Sequence, residues 1–186
     1  TYHQAVVLDG TIYLFGGGNY VPQYAAHNDV WSSRDGRTWK QETAAAPWSP
    51  RIWFSAAVYR GHIWVLGGWS NNPSRNWGDV WYSADGKNWR EFRSPGSWKE
   101  RHEHSVYVHQ DKLWLAGGHA QPLSSEVWSL ELPPDWKGEA WSRPFMTKTA
   151  WSSTSSRIRF TIPKSGTLSC CSTPTTPPNH WSNASS

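Results

Sequence analysis

A glycine pair recurs three times along the chain, as Gly16-Gly17, Gly67-Gly68 and Gly117-Gly118, at spacings of 51 and 50 residues. Each pair closes a short apolar run, "TIYLF", "HIWVL" or "KLWLA", and each run follows a turn at Asp9-Gly10, Arg60-Gly61 or Gln110-Asp111. Another apolar run precedes each turn: "QAVVL", "SAAVY" and "SVYVH". His3, Phe54 and His104 stand at one common register, thirteen residues before the first glycine of each pair. After the glycines come loops of differing content, then "DVW", "DVW" and "EVW", with a second tryptophan eight residues on: Trp31 and Trp39, Trp81 and Trp89, Trp128 and Trp136. Agreement at this many offsets marks an internal repeat, whose units bury their apolar faces only by stacking on one another.

Each unit reads as four short strands, because segments rich in Val, Ile, Trp and Tyr alternate with turn residues. Asp35-Gly36 and Asp85-Gly86 are hairpin signals, since glycine supplies the positive φ that such a turn needs. The third unit has "LELPPDW" in that place. No segment carries sustained helical periodicity. Four-stranded units repeating at about 50 residues indicate a kelch-type β-propeller. Over residues 1 to about 143 the chain resembles the kelch-repeat superfamily, in the Gly-Gly, the apolar run before it and the paired tryptophans after it. The "DVW…DG…W" form is similar to bacterial kelch-like proteins related in fold to the central domain of galactose oxidase. The expected fold is all-β: an incomplete propeller with blades at about 1–50, 51–100 and 101–142, followed by a disordered tail.

Composition changes abruptly where a fourth blade should begin. Residues 143–186 hold 18 Ser plus Thr, five Pro and no acidic residue. Such a stretch is expected to stay disordered, since it offers little apolar surface to bury. It is either a genuine low-complexity tail over 144–186 or the product of a reading-frame shift, and the abruptness favours the second. "RIRFTI" within it has the pattern of one strand. The register also opens mid-pattern at Thr1, as expected of a fragment or a processed N-terminus. An open three-blade stack is then expected to expose Trp-rich faces and to be marginally stable, to aggregate, or to pair with another copy that closes the ring.

Charge divides along the same line. Residues 1–139 carry 13 Lys and Arg against 14 Asp and Glu, net −1, whereas the rest carries five basic residues. The sequence pI of about 9.2 therefore describes the tail. It argues against nucleic acid as a partner. No apolar run is long enough for a membrane-spanning helix. Both cysteines, Cys170 and Cys171, lie in the tail, so no Cys-based metal site or disulfide framework is expected in the blades, and the compartment is left open.

The kelch resemblance implies that inter-blade segments and the loops between second and third strands line one mouth of the channel. That places Arg51, Trp53, Arg101, His102 and Glu103 there. The first loop adds Asn19, Tyr20, Tyr24 and His27, the second Trp69, Arg75, Asn76 and Trp77, and the third His119 and Gln121. The recurring tryptophans are expected to pack between blades, as are Trp48, Trp98 and Trp141, each beside an inter-blade arginine such as Arg143. The non-recurring Trp53, Trp69 and Trp77 suit a sugar ring or a peptide, through stacking and directed hydrogen bonds. Arg51 and Arg101 read either as pins between blades or as carboxylate binders. His102 and His104 share a strand face, but no third metal ligand accompanies them, so no metal or other cofactor is expected.

"SRDGRTW" and "SADGKNW" resemble the Asp-box turn of sialidase-type propellers but lack one residue of it, and that turn is structural. Copper chemistry of the galactose oxidase kind needs a cysteine that the blades do not have. The expected function is a non-enzymatic scaffold for protein or carbohydrate ligands. The alternative is a fragment of a carbohydrate-active, epimerase-like propeller, with Glu103 as the carboxylate to test.

Overall fold

A computed structural model describes residues 1–94, 97–138 and 146–149. They form three four-stranded antiparallel sheets, each following chain order. Blade 1 contains β1 (Gln4–Leu8), β2 (Thr11–Asn19), β3 (Ala25–Ser33) and β4 (Lys40–Thr43). Blade 2 contains β5 (Ser55–Tyr59), β6 (His62–Asn71), β7 (Ser74–Ser83) and β8 (Arg90–Glu91), and blade 3 contains β9 (Ser105–His109), β10 (Lys112–Ala116), β11 (Val127–Leu130) and β12 (Met146–Thr149). β5 neighbours both β1 and β9, so the first strands form one row, as the propeller reading requires. Among the described residues the blades do not close into a ring.

β12 lies beyond residue 143, where composition had placed the start of the tail. It pairs antiparallel with β11, Leu130 opposite Met146 and Val127 opposite Thr149. Two β-branched threonines at alternate positions suit a strand, and the Lys148 ammonium pairs with Glu126, just before β11, at 2.6 Å. The expectations for Trp141, Arg143, "RIRFTI" and the cysteines fall outside the described residues.

The repeated glycines are required by backbone shape and by space. Pairing of β2 with β3 shifts register between Phe15 and Gly17, and that of β6 with β7 between Leu66 and Gly68. Gly17, Gly68 and Gly118 have φ of 84°, 112° and 94°. A Cβ on Gly17 would lie 2.4 Å from the His3 nitrogen, and one on Gly118 would lie 2.8 Å from the His102 carbonyl. The segment entering each blade therefore presses directly on the glycine pair. The Asp-Gly turns are built alike in blades 1 and 2. Ser33 and Ser83 Oγ accept from the Gly36 and Gly86 amides, both at 2.9 Å. Asp35 Oδ1 accepts from the Arg37 and Thr38 amides, and Asp85 Oδ1 from those of Lys87 and Asn88. These amide bonds hold the Asp35 carboxyl down at about 2.

Two apolar cores form between blades. Leu8, Phe15 and Val30 of blade 1 meet Phe54, Ile63 and Val65 of blade 2. Trp64, Leu66, Val80 and Tyr82 of blade 2 meet Leu113, Leu115 and Leu130 of blade 3. The recurring turn tryptophan reaches back across each joint. The Trp89 ring meets Trp48 edge-on at 4.3 Å, and Trp136 lies 5.5 Å from Trp64 and 5.0 Å from Tyr82. Trp39, at the same position in blade 1, is 37% exposed, because no described residue lies on its far side to receive it. In the other recurring set Trp81 and Trp128 border the two inter-blade cores, and Trp31, Trp81 and Trp128 Nε1 donate to Asp29, Asp79 and Glu126. Polar ties cross the second joint as well. Tyr59 Oη donates to the Asp111 carbonyl and accepts from the Leu132 amide, both at 2.9 Å, and Arg60 pairs with Asp111.

Trp64 and Trp114 occupy one strand position and make the same bond, Nε1 to the Tyr59 or His109 carbonyl. Trp64 is fully buried by blade 3, whereas Trp114 stays half-exposed. Trp64→Ala is expected to cost about 3–5 kcal/mol of stability. Trp114→Ala is expected to cost about 1–2 kcal/mol, since part of its ring already meets water. Urea unfolding midpoints of the two variants measure the difference.

Candidate functional site

Two arginines set the geometry of the loop face. Arg51 has no exposed side-chain surface, and its guanidinium forms a two-pronged ion pair with Asp79 and donates to the Gly67 carbonyl at 3.0 Å. Arg101 repeats this one blade on, donating to Glu126 and to the Gly117 carbonyl, each at 2.8 Å. Each Nε donates to the backbone carbonyl two residues earlier. Both arginines sit as pins between blades, since each guanidinium is buried and its charge is met by Asp79 or Glu126.

Beyond each pin the chain bridges to the end of the second strand. Ile52 and Trp69 exchange backbone hydrogen bonds at 2.9 and 2.8 Å, and His102 and His119 do so at 3.3 and 2.9 Å. The residue after each bridge has left-handed backbone without being glycine: Tyr2 at φ 59°, Trp53 at 56° and Glu103 at 54°. Such a conformation is costly for a residue with a Cβ and clusters at functional positions. It recurs at one register in all three blades and turns these side chains to a common rim, where the Glu103 amide donates to the Trp53 carbonyl at 2.9 Å.

An aromatic row grows from this rim. Trp53 lies 5.3 Å from Trp69, 5.0 Å from Tyr20 and 5.7 Å from Tyr2. Tyr24 stands edge-on to Trp69 at 5.6 Å. The other side of the row continues as His102 stacked on Trp53 at 5.2 Å, then His119 at 4.9 Å from His102. Glu103 Oε2 lies 4.0 Å from His102 Nε2, with the Glu103 side chain 60% exposed. Burial pushes the His102 pKa down, Glu103 opposes this and His119 adds to it.

Of the candidates from sequence, Tyr20, Tyr24, Trp53, Trp69, Asn76, His102, Glu103 and His119 come together. Trp77 and Arg75 are engaged elsewhere: the Arg51 and Arg75 guanidinium groups lie over the Trp77 ring at 4.7 and 4.4 Å, and Arg75 pairs with Glu100 at 2.7 Å. Tyr2 was missed, although its alignment with Trp53 and Glu103 was available in the repeat. His102 and His104 are put to different uses, with His104 only 4% exposed in the register of Phe54. Among the described residues, no three His, Cys, Asp or Glu side chains gather as a metal site would require.

A model of the KLHDC2/KLHL20/DRC7 Kelch-repeats domain matches residues 1–164. The chain belongs to the kelch-repeat family. A search of curated proteins gives no match. The row lies where inter-blade segments meet the ends of the second and third strands: Trp69 sits on β6, and Arg75, Asn76 and Trp77 on β7 rather than in a loop, because the pairing of β6 with β7 continues to Asn71 and Ser74.

The pins and the buried histidine give separate tests. Asp79→Ala strands the buried Arg51 charge and is expected to cost about 3–5 kcal/mol, read as a shift in the denaturation midpoint. Burial, with Arg101 and His102 nearby, pushes the His104 pKa down to about 3. An unfolded histidine takes up its proton near pH 6.5. Between these values the unfolded state binds more protons, so stability is full above pH 6.5 and falls as pH drops toward 3. His104→Phe, which copies blade 2, is expected to flatten that slope in stability measured from pH 7 to pH 4.

Proposed function

We propose that this kelch domain is a non-enzymatic binding scaffold whose protein partner sits on the aromatic row of the loop face. A kelch-repeat domain suggests a protein-interaction scaffold in general. The observation that supports this particular face is the row itself. Tyr2 and Tyr20 are 41% and 45% exposed, and Trp53 and Trp69 beside them are half-buried, on segments pinned by buried ion pairs. Large, stiff, amphipathic rings held in place lose little entropy on contact, which is why Trp and Tyr dominate binding energy at interfaces.

A carbohydrate ligand uses the same ring faces and is the second reading of this surface. The enzymatic alternative has one foothold, the Glu103 carboxylate beside His102. The His119 ring lies 4.9 Å from His102 as well, but Glu103 is the one carboxylate that any described contact gives this cluster, so a scaffold is the better reading.

The test is selection of binders to the immobilised full chain from a random peptide library, in parallel with a glycan array. Peptide binders are expected, and Trp69→Ala is expected to reduce their affinity at least tenfold while leaving the melting temperature within a few degrees. Binding of glycans alone replaces the protein partner by a sugar. Peptide binding insensitive to both Trp53→Ala and Trp69→Ala moves the site off this row.

A further inference from the structure

We propose that the rim selects a basic partner: a lysine or arginine side chain of the docked protein, with its charged nitrogen between Glu103 and His102 and its stem along Trp53. This deepens the function proposed above and rests on it.

The argument starts from one hydrogen-bond network. Asn76 Nδ2 donates to the His119 carbonyl at 3.0 Å and toward the Glu100 carbonyl at 3.4 Å. This fixes the amide orientation and turns Asn76 Oδ1, an obligate acceptor, toward His102 Nδ1 at 2.6 Å. His102 Nδ1 therefore carries the proton. In the neutral ring Nε2 is then an unprotonated acceptor. It faces the Glu103 carboxylate, which is acceptor-only as well, at 4.0 Å. Two acceptors at that separation do not bond to each other. They do suit one donor nitrogen placed at ordinary hydrogen-bond distance, about 2.8–2.9 Å, from both. The Glu103 carboxylate has no hydrogen bond from any described residue, so its lone pairs are available.

The surroundings agree in sign. Ring faces attract cations, and Trp53, already stacked on His102, lies within the row where an aliphatic stem would rest. The neighbouring arginines do not cancel Glu103. Arg51 and Arg101 are buried against Asp79 and Glu126, and Arg75 is paired with Glu100. Lys99 keeps its charge, but its ammonium is directed to the Gln121 carbonyl at 2.8 Å and forms no ion pair with Glu103. An acidic partner segment would instead meet a carboxylate and the electron-rich faces of the rings.

The experiment follows the indole N–H signals of Trp53 and Trp69 in the full 15N-labelled chain. It titrates acetylated, amidated Gly-Ser-X-Ser-Gly peptides with X as Lys, Arg, norleucine or Glu. The Lys and Arg peptides are expected to shift both signals, and the norleucine and Glu peptides to leave them in place. Glu103→Gln, an exposed change that leaves the fold intact, is expected to weaken Lys or Arg binding about three- to thirty-fold. Equal response to norleucine or Glu peptides, or unchanged Lys binding to Glu103→Gln, overturns the choice of a basic partner while leaving the aromatic row as the docking surface. If none of the four peptides moves either signal, and library binders ignore Trp69→Ala, both the basic partner and the docking face fall.

Discussion

The pairing of a buried inter-blade arginine with an acidic residue in or just before the third strand is the contact on which the rest of this structure depends. Arg51 with Asp79 and Arg101 with Glu126 each join three segments: the chain entering the blade, the carbonyl of the glycine pair and the start of the "DVW" or "EVW" strand. A buried charge pair holds only when its remaining hydrogen-bonding groups are also satisfied. Here the backbone carbonyls of Ser49, Gly67, Lys99 and Gly117 meet that condition. The acids serve twice, because Asp79 and Glu126 also accept from Trp81 and Trp128. The outcome is an entering segment held firmly enough to carry a left-handed residue just beyond it.

Apolar packing supplies the bulk of cohesion, yet it acts across joints more than within blades. Trp89 of blade 2 and Trp136 of blade 3 complete cores whose other walls belong to the preceding blade. A single sheet of this kind buries one face poorly by itself, so each blade depends on its neighbours. That explains why identical motifs have different environments. Trp39 lies open where Trp89 and Trp136 are covered, and Trp114 is half-exposed where Trp64 is sealed.

The strand order and turns were legible in the sequence because the glycine pairs and Asp-Gly turns are local requirements of backbone geometry. The last strand of blade 3 was not, since Met146–Thr149 sits past a long Pro-containing connection and inside a Ser/Thr-rich stretch. Strand pairing with β11 decides it, and such pairing leaves little trace in composition. At the candidate site, Trp53, Trp69, His102 and Glu103 stood out in the sequence through the kelch resemblance, and Trp53 and Trp69 also because they do not recur. The sequence did not separate pins from rim residues, because the acidic partners of Arg51 and Arg101 lie 28 and 25 residues away. Trp77 looked free in the sequence because one of the guanidinium groups over its ring, that of Arg51, comes from a distant segment, the other being that of nearby Arg75.

The left-handed position shared by Tyr2, Trp53 and Glu103 separates what a blade presents from what holds it together. Its backbone is set by neighbours on both sides, while its side chain points to the rim and takes no part in the apolar cores. An aromatic alcohol, an indole and a carboxylate already occupy it in consecutive blades. The rim therefore behaves as a row of interchangeable letters on a fixed frame. Its message can be rewritten one blade at a time, by single substitutions, without renegotiating the core.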